Sequence, residues 1–244
     1  MPAGPERRRF LPLGLLAAFL FAAQAGHADN WLDRLLEFTG VAASPGAMKG
    51  DDERISGGDI WIADIEGRSP RRITLDPGGY TWPVFMPGDG ALLALRGSAL
   101  VRIPLDGGVP GPLFEVGGVR KLIGFSRQHA DLVLALGSDR DHPLQVLSLA
   151  AKRLEPLPYD DHDPSQRRLL RHLDGQERKY DGTRLFVQEE SKEEMEGTRT
   201  WTDVYASRDG GAPRRISACE GDRCGQPSLS RSGGWVVYVR EARR

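Results

Sequence analysis

The sequence predicts an all-β fold built from repeated four-stranded units. A strand–turn–strand pattern occurs twice, about 144 positions apart, at residues 59–74 and 203–217. Each copy is followed by a proline, an apolar pair, a glycine-containing turn and a further apolar strand. Weaker copies between them give a period of roughly 40 to 45 residues, which is typical of a four-stranded propeller blade. We therefore expect a small β-propeller of about four blades.

The order of the strands predicts how this fold closes. Residues 59–74 supply only the last two strands of a blade, and residues 227–240 supply only the first two. Pairing the two ends would complete one blade and remove two exposed sheet edges. Three further blades are expected between them, at residues 81–117, 118–157 and 166–217. The alternatives are a truncated chain, or an incomplete propeller that a partner chain or a second copy completes.

These repeats resemble the TolB-like, WD40-like propeller repeat family over residues 57–240. The family pattern is an apolar strand, Asp-Gly-Gly, a polar pair before Leu/Ile-Thr, and then Pro-x-aromatic-Ser-x-Asp-Gly before another apolar strand. The copies that begin at Asp59 and Asp203 match this pattern closely. The resemblance implies a scaffold that binds another envelope protein or peptide, as an accessory to a Tol-Pal-like system. The segment before the propeller is too short for the N-terminal α/β domain of TolB.

The first 56 residues read as two segments that precede the propeller domain of residues 57–244. Residues 1–28 combine a basic stretch, a short apolar run and small residues, which indicates a signal peptide. We expect export by the Sec route rather than by the twin-arginine route. Cleavage would leave a periplasmic protein without a stable transmembrane anchor, and the alternative is an uncleaved N-terminal anchor. Residues 29–56 are expected to form a short helix over residues 31–38 and a linker.

The two cysteines predict a structural disulfide. Cys219 and Cys224 enclose a four-residue loop between the strand that ends at Ser217 and the strand expected at Pro227. In an oxidising compartment such a loop can close locally. The spacing differs from that of redox and zinc motifs, so a metal or redox pair is the weaker interpretation.

The candidate partner-binding loops are two charged insertions in the third expected blade. One carries Asp160, Asp161, His162 and Asp163, whose oxygen and imidazole donors could also hold a divalent metal. The competing interpretation is a solvated acidic loop. The other insertion carries Glu193 and Glu194 and is expected to be a charged loop tip or a solvated sheet edge.

No catalytic motif and no cofactor-binding motif occurs in the sequence. It lacks a Gly-x-Ser-x-Gly elbow and a phosphate-binding glycine loop. The formal net charge of −1 gives no overall attraction to nucleic acid. We therefore predict a non-enzymatic, exported protein-binding module without a cofactor, and a homo-oligomer remains open. The alternative is a propeller that binds a small ligand or metal and has enzymatic activity.

Overall fold

The computed structural model describes residues 55–76, 78–126, 129–175, 178–180 and 182–243. Within them it contains sixteen strands and one helix, so the predicted all-β class is confirmed. The predicted signal peptide (residues 1–28) and the predicted helix over residues 31–38 lie outside the described residues. Among the described residues, no helix combines the length and the apolar character that a membrane span requires.

Two sheets are consecutive antiparallel meanders. The first sheet consists of β3 (Tyr80–Phe85), β4 (Ala91–Arg96), β5 (Ala99–Pro104) and β6 (Gly111–Glu115). The second sheet consists of β7 (Val119–Phe125), β8 (Leu132–Gly137), β9 (Leu144–Ser148) and β10 (Arg153–Pro156). Their inner strands are continuous apolar runs, because both faces of such a strand are covered by neighbouring layers.

The two ends of the described chain pair with each other, as the repeat order predicts. The closing group consists of β15 (Arg223–Leu229), β16 (Trp235–Glu241), β1 (Asp59–Asp64) and β2 (Arg71–Arg72). Strands β1 and β16 are antiparallel partners over six residue pairs, from Asp59↔Arg240 to Asp64↔Trp235. The N-terminal strands therefore complete a four-stranded group that the C-terminal strands begin.

The remaining strands form the arm group, which follows the helix. It consists of β11 (Arg178–Tyr180), β12 (Thr183–Glu194), β13 (Gly197–Arg208) and β14 (Arg214–Arg215). A single parallel bridge, Thr202↔Arg223, joins this group to the closing group in one eight-stranded sheet. The third blade was expected to span residues 166–217, but residues 164–174 are helical and the first strand of the arm group starts at Arg178.

Helix α1 (Pro164–Asp174) corrects the expectation of a loop insertion. Its N-cap is Asp163, whose side chain accepts a hydrogen bond from the backbone N–H of Ser165 at 2.7 Å. Proline follows at the first helical position, where its missing N–H and fixed φ are tolerated. Leu173 is buried, so the helix packs one apolar side chain into the protein and exposes its three arginines.

The two copies of the repeat make equivalent polar contacts, which explains part of the repeat pattern. In the first copy Arg72 pairs with Asp59 at 2.9 Å, and in the second Arg215 pairs with Asp203 at 2.8 Å. In each copy a hydroxyl, that of Thr74 or that of Ser217, accepts a hydrogen bond from a strand N–H. The second arginine of each basic pair is thus a structural contact to the aspartate that opens the copy.

Three apolar clusters join the sheets. One lies between the closing group and the first sheet around Ile60, Tyr80 and Val237, all nearly or completely buried. The second lies between the first and second sheets around Leu93, Leu100 and Leu122, and the third lies between the arm group and the closing group. Successive sheets therefore share cores, and burial of these side chains dominates the stability of the fold.

Candidate functional site

A cavity of about 640 Å³ opens where strands of all four groups converge. It is lined by the carboxyl ends of β3, β7 and β15, by β11 to β13 at the base of the arm group, and by the turns that follow β1, β3 and β15. The lining residues that matter below are Gly124, Thr183, Arg208, Ser228 and Arg231. Its volume lies within the range of about 300 to 1,000 Å³ that is usual for ligand pockets.

Two bulged strands position one side of this cavity. Trp82 in β3 and Gln226 in β15 both have positive φ angles, 52° and 53°, and both sit at register shifts that precede a proline. The N–H of Trp82 donates a 2.7 Å hydrogen bond to Oε1 of Gln226, which ties the two strands together. Bulges re-aim the strand that follows them, and here the following residues turn towards the cavity.

The rim of the cavity is fixed by hydrogen bonds between turns. The carboxylate of Asp89, in the β3–β4 turn, accepts from the N–H groups of Arg231 and Ser232, each at 2.9 Å. The N–H of Ile65 donates to the carbonyl oxygen of Gly234 at 2.9 Å. Three separate turns are therefore held in one arrangement, which limits the ordering cost when something binds between them.

The cavity combines apolar walls with hydroxyls and two arginines. Ser228 and Thr183 are only 6% and 7% exposed, and neither hydroxyl bonds to another of the residues that the structure describes. Arg208 and Arg231 are its charged lining residues, and no described carboxylate lines it. The site can thus accept a ligand that has both apolar surface and hydrogen-bonding groups.

The opposite end of β7 is occupied by the end of α1. The ammonium group of buried Lys121 donates to the carbonyl oxygens of Asp174 and Gly175 at 2.9 and 2.8 Å. It also lies 4.3 Å from the ring centroid of Trp82, a cation–π contact. A cation at the C-terminal end of a helix is favourable because the helix dipole is negative there. This end of the strands is therefore filled by the protein's own groups.

The predicted acidic loop lies at the start of α1 and not at the cavity. Ligand atoms of Asp160, Asp161 and His162 lie within 4.8 Å of one another, and all three residues are exposed. Asp160 accepts from the N–H of His162 at 2.9 Å, and Asp163 caps the helix. The hydrogen bond from the backbone N–H of Ser165 lowers the pKa of Asp163. Two of the four predicted residues thus have a local structural role.

Glu193 and Glu194 lie at the tip of a long hairpin, which we call the arm (residues 189–202). The arm was expected to be a loop tip or solvated edge, and its strands run unbroken to Glu194 and from Gly197. At about 3.3 Å per residue it extends roughly 17 Å beyond the bridge to β15. At its base Tyr205 donates to Glu190, and burial together with this bond raises the Tyr205 pKa to about 12.

The arm and the cavity lie at opposite ends of the strands. The arm leaves the sheet beside Arg223, the first residue of β15, whereas the cavity is lined by Ser228 and Leu229 at the other end of that strand. The end of α1 is likewise bonded to Arg120 and Lys121 at the start of β7. The structure therefore separates the predicted partner-binding residues from the cavity.

The predicted disulfide is present between Cys219 and Cys224, with Cα atoms 6.1 Å apart. Both residues are fully buried in the apolar cluster that joins the arm and closing groups. Cys224 belongs to β15 and not to the loop before it, because that strand begins four residues earlier than expected. The N–H of Cys219 donates to the buried carboxylate of Asp203 at 2.9 Å, so the bridge is anchored to the second repeat copy.

The cavity residues were not predicted, although a comparison of the two repeat copies carried a signal. The turn after β3 reads Pro87-Gly88-Asp89, and the equivalent turn after β15 reads Arg231-Ser232-Gly233. An arginine stands where the first copy has a proline, and the acidic residue is missing. This departure from the repeat marks the place where the second copy contributes a cation to the cavity.

Solved structures that are similar to the chain include the following three. A putative TolB from Agrobacterium tumefaciens is 18% identical, with 72% of this chain and 59% of that chain covered and a TM-score of 0.32. A variant of AtxE2 isopeptidase with Astexin3-dC4 bound is 14% identical, with 72% and 35% covered and a TM-score of 0.31. A nidogen/laminin complex is 12% identical, with 66% and 61% covered and a TM-score of 0.28. At these values the likenesses identify no function.

The chain spans 59% of the length of the putative TolB. No protein-family model and no curated protein matches the chain.

Proposed function

We propose that the chain is an exported binding module that receives a short segment of another envelope protein in the cavity. In this proposal the four groups of strands are the blades of a small propeller, and the paired chain ends form the closing blade. The observation that carries it is the convergence of strands from all four groups on one cavity. Propellers place binding sites where their blades meet, because rigid strands hold the surrounding turns in place.

The properties of the cavity favour an extended peptide segment. Peptides offer backbone N–H and C=O groups to the hydroxyls of Ser228 and Thr183, which bond to no other described residue, and apolar side chains to walls such as Phe85 and Leu229. The turns around the mouth are already bonded to one another through Asp89. Preorganisation of this kind improves affinity by reducing the entropy lost on binding.

The disulfide supports the exported location. Disulfides persist in oxidising compartments and are rare where thiols are kept reduced. The buried bridge between Cys219 and Cys224 therefore suits the periplasm, as does the signal peptide expected at residues 1–28. An accessory role in a Tol-Pal-like envelope system, without catalysis or a cofactor, is the proposal most consistent with the repeat resemblance.

A small molecule is the second candidate occupant. The volume of about 640 Å³ favours it, because drug-sized ligands fill pockets of this size. In that case the protein would be a ligand-binding propeller, and the arm with Glu193 and Glu194 would be the surface left for a protein partner.

Site-specific photo-crosslinking in the envelope tests the proposal. A benzoylphenylalanine at Gly124 would sit in the cavity, since a Cβ there meets no atom within 4 Å. The same residue at Met195, which is fully exposed at the tip of the arm, is the matched control. We expect one partner peptide to crosslink from position 124 and not from position 195. Crosslinking from position 195 alone would contradict the proposal.

A further inference from the structure

We infer that the cavity selects a ligand that carries a carboxylate group. The inference rests on the proposed function, because it specifies the chemistry of the occupant. Arg208 and Arg231 line the cavity, and no acidic residue is among its described lining residues; the carboxylate of Asp89 lies at the rim, where it accepts from backbone N–H groups. Cations beside apolar walls concentrate their field in the cleft and attract anions.

Among the described residues, neither arginine has a close ion-pair partner, unlike several other arginines in the protein. Arg208 is 78% exposed and lies 4.0 Å from Asp209, a distance and exposure at which an ion pair contributes little. Arg231 is exposed, and its guanidinium makes no ion pair with any residue that the structure describes. By contrast, Arg215 and Arg240 each hold an aspartate at 2.8 Å. The two cavity arginines are therefore available to a ligand.

The geometry favours a carboxylate over a phosphate group. Phosphate sites in proteins are usually cradles of free backbone N–H groups. Here the N–H groups of Arg231 and Ser232 already donate to Asp89, and that of Ile65 donates to Gly234. What remains is guanidinium and hydroxyl groups. A guanidinium fork binds a carboxylate or a phosphate, so the preference for a carboxylate rests on the lack of a cradle of free N–H groups.

Apolar walls beside the arginines indicate that the carboxylate belongs to a larger group with an apolar part. A polypeptide offers such a carboxylate at its C-terminus or on an acidic side chain. These two sources share the same chemistry, and probes that separate them are available as small blocked amino acids.

The test maps chemical-shift changes on the isotope-labelled chain with four probes. N-acetyl-phenylalanine carries a terminal carboxylate, N-acetyl-aspartic acid benzylamide carries a side-chain carboxylate, N-acetyl-phenylalanine amide is neutral, and phenyl phosphate carries a phosphate; all four contain an aromatic ring. We expect one or both carboxylates to shift the amide signals of Gly124 and Ser228, and the neutral amide to bind roughly tenfold more weakly. We expect the phosphate to bind more weakly than the carboxylates, because the cavity lacks a cradle of free N–H groups. Which carboxylate binds more tightly identifies the source.

Matched variants make the assignment specific. The double substitution Arg208→Gln and Arg231→Gln should abolish the preference for a carboxylate while keeping the backbone bonds to Asp89. Arg102→Gln is the control, since Arg102 is exposed on β5, outside the cavity lining. Equal binding of the carboxylate and its amide, or unchanged binding by the double variant, would overturn the inference and leave the cavity as a binding site. Binding of no probe at the cavity would overturn it too, and the crosslinking experiment would then decide the proposed function.

Discussion

The substitution Gly58→Ala tests the seam between the two ends of the chain. A Cβ at Gly58 would lie 2.3 Å from the carbonyl oxygen of Arg240 and 2.7 Å from its carbonyl carbon. Since backbone atoms of β16 stand in the way, the strands must separate by about 1 Å to restore contact at van der Waals distance. Gly58 also exchanges hydrogen bonds of 3.0 and 3.1 Å with Tyr80, and the same movement would strain these bonds.

The net effect follows from two opposing terms. Overpacking of a tight site costs about 1 to 3 kcal/mol. Replacing glycine by alanine restricts the unfolded chain and returns about 0.4 to 1 kcal/mol. We therefore expect a loss of roughly 1 to 2 kcal/mol in the free energy of unfolding, which lowers the urea midpoint by about 0.5 to 1 M.

Urea unfolding with the cysteines oxidised measures this change, and Gly111→Ala is the matched control. Gly111 lies at the start of β6, its φ is outside the left-handed region, and a Cβ there meets no atom within 4 Å. The control should be as stable as the parent chain or slightly more stable. The reasoning would be refuted if Gly58→Ala matched or exceeded the stability of Gly111→Ala, because the close seam would then be absent.

Three further predictions concern stability and are measured by the same unfolding experiment. Asp203→Ala should cost about 2 to 4 kcal/mol, because it leaves the buried donors of Ser217 and Cys219 without their shared acceptor. The equivalent substitution Asp59→Ala, at a partly exposed residue, should cost about 1 kcal/mol or less, and equal losses would contradict the asymmetry. Burial raises the pKa of Tyr238 to about 12 from 10.0, so the unfolded chain ionises first and stability should fall as pH rises from 10.0 to about 12. Tyr238→Phe should make this decline shallower without removing it, because the pKa values of Tyr80 and Tyr205 are raised in the same way, and an unchanged slope would contradict the burial argument. Reducing the Cys219–Cys224 bridge should cost about 2 kcal/mol, given the small loop it closes, and no change on reduction would show that the bridge does not constrain the unfolded chain.

The pairing of the chain ends could be predicted because the repeat shows the order of the strands. The copies that begin at Asp59 and Asp203 repeat the same strand order, and the half copies at each end are complementary. Their common hydrogen bonds, such as those to Thr74 and Ser217, show that the pattern encodes local contacts. Because each copy encodes its own local contacts, the order of the strands can be inferred from a single sequence.

Helix α1 and the long arm were harder to predict because many of their residues are charged, which obscures the pattern of apolar residues. The helix carries arginines at residues 167, 168 and 171, and its apolar residues are too few to give a clear helical period, although Asp163 and Pro164 are an ordinary start signal. The arm contains five glutamates, so its strands resemble a solvated loop. The end of the helix is held by hydrogen bonds from Arg120 and Lys121, and the arm is held by the pairing of its own two strands.

The cavity could not be predicted because its residues meet only through long-range packing. Thr183, Arg208, Ser228 and Arg231 are up to 48 residues apart, and none belongs to a recognised motif. Their convergence depends on the bulge at Gln226 and on the bond from Trp82 that holds it. The type of scaffold could therefore be predicted, but not which end of its strands carries the open cavity.

The most direct test compares partner capture by a plugged chain and by a chain with a shortened arm. Gly124→Trp fills the cavity from a position with open space above the backbone, and replacing residues 190–201 by a two-residue Asn-Gly turn removes the arm. The account predicts that the plugged chain loses the partner that crosslinks from position 124, while the chain without the arm retains it. Retention by the plugged chain and loss by the shortened chain would contradict the account and transfer the binding site to the arm.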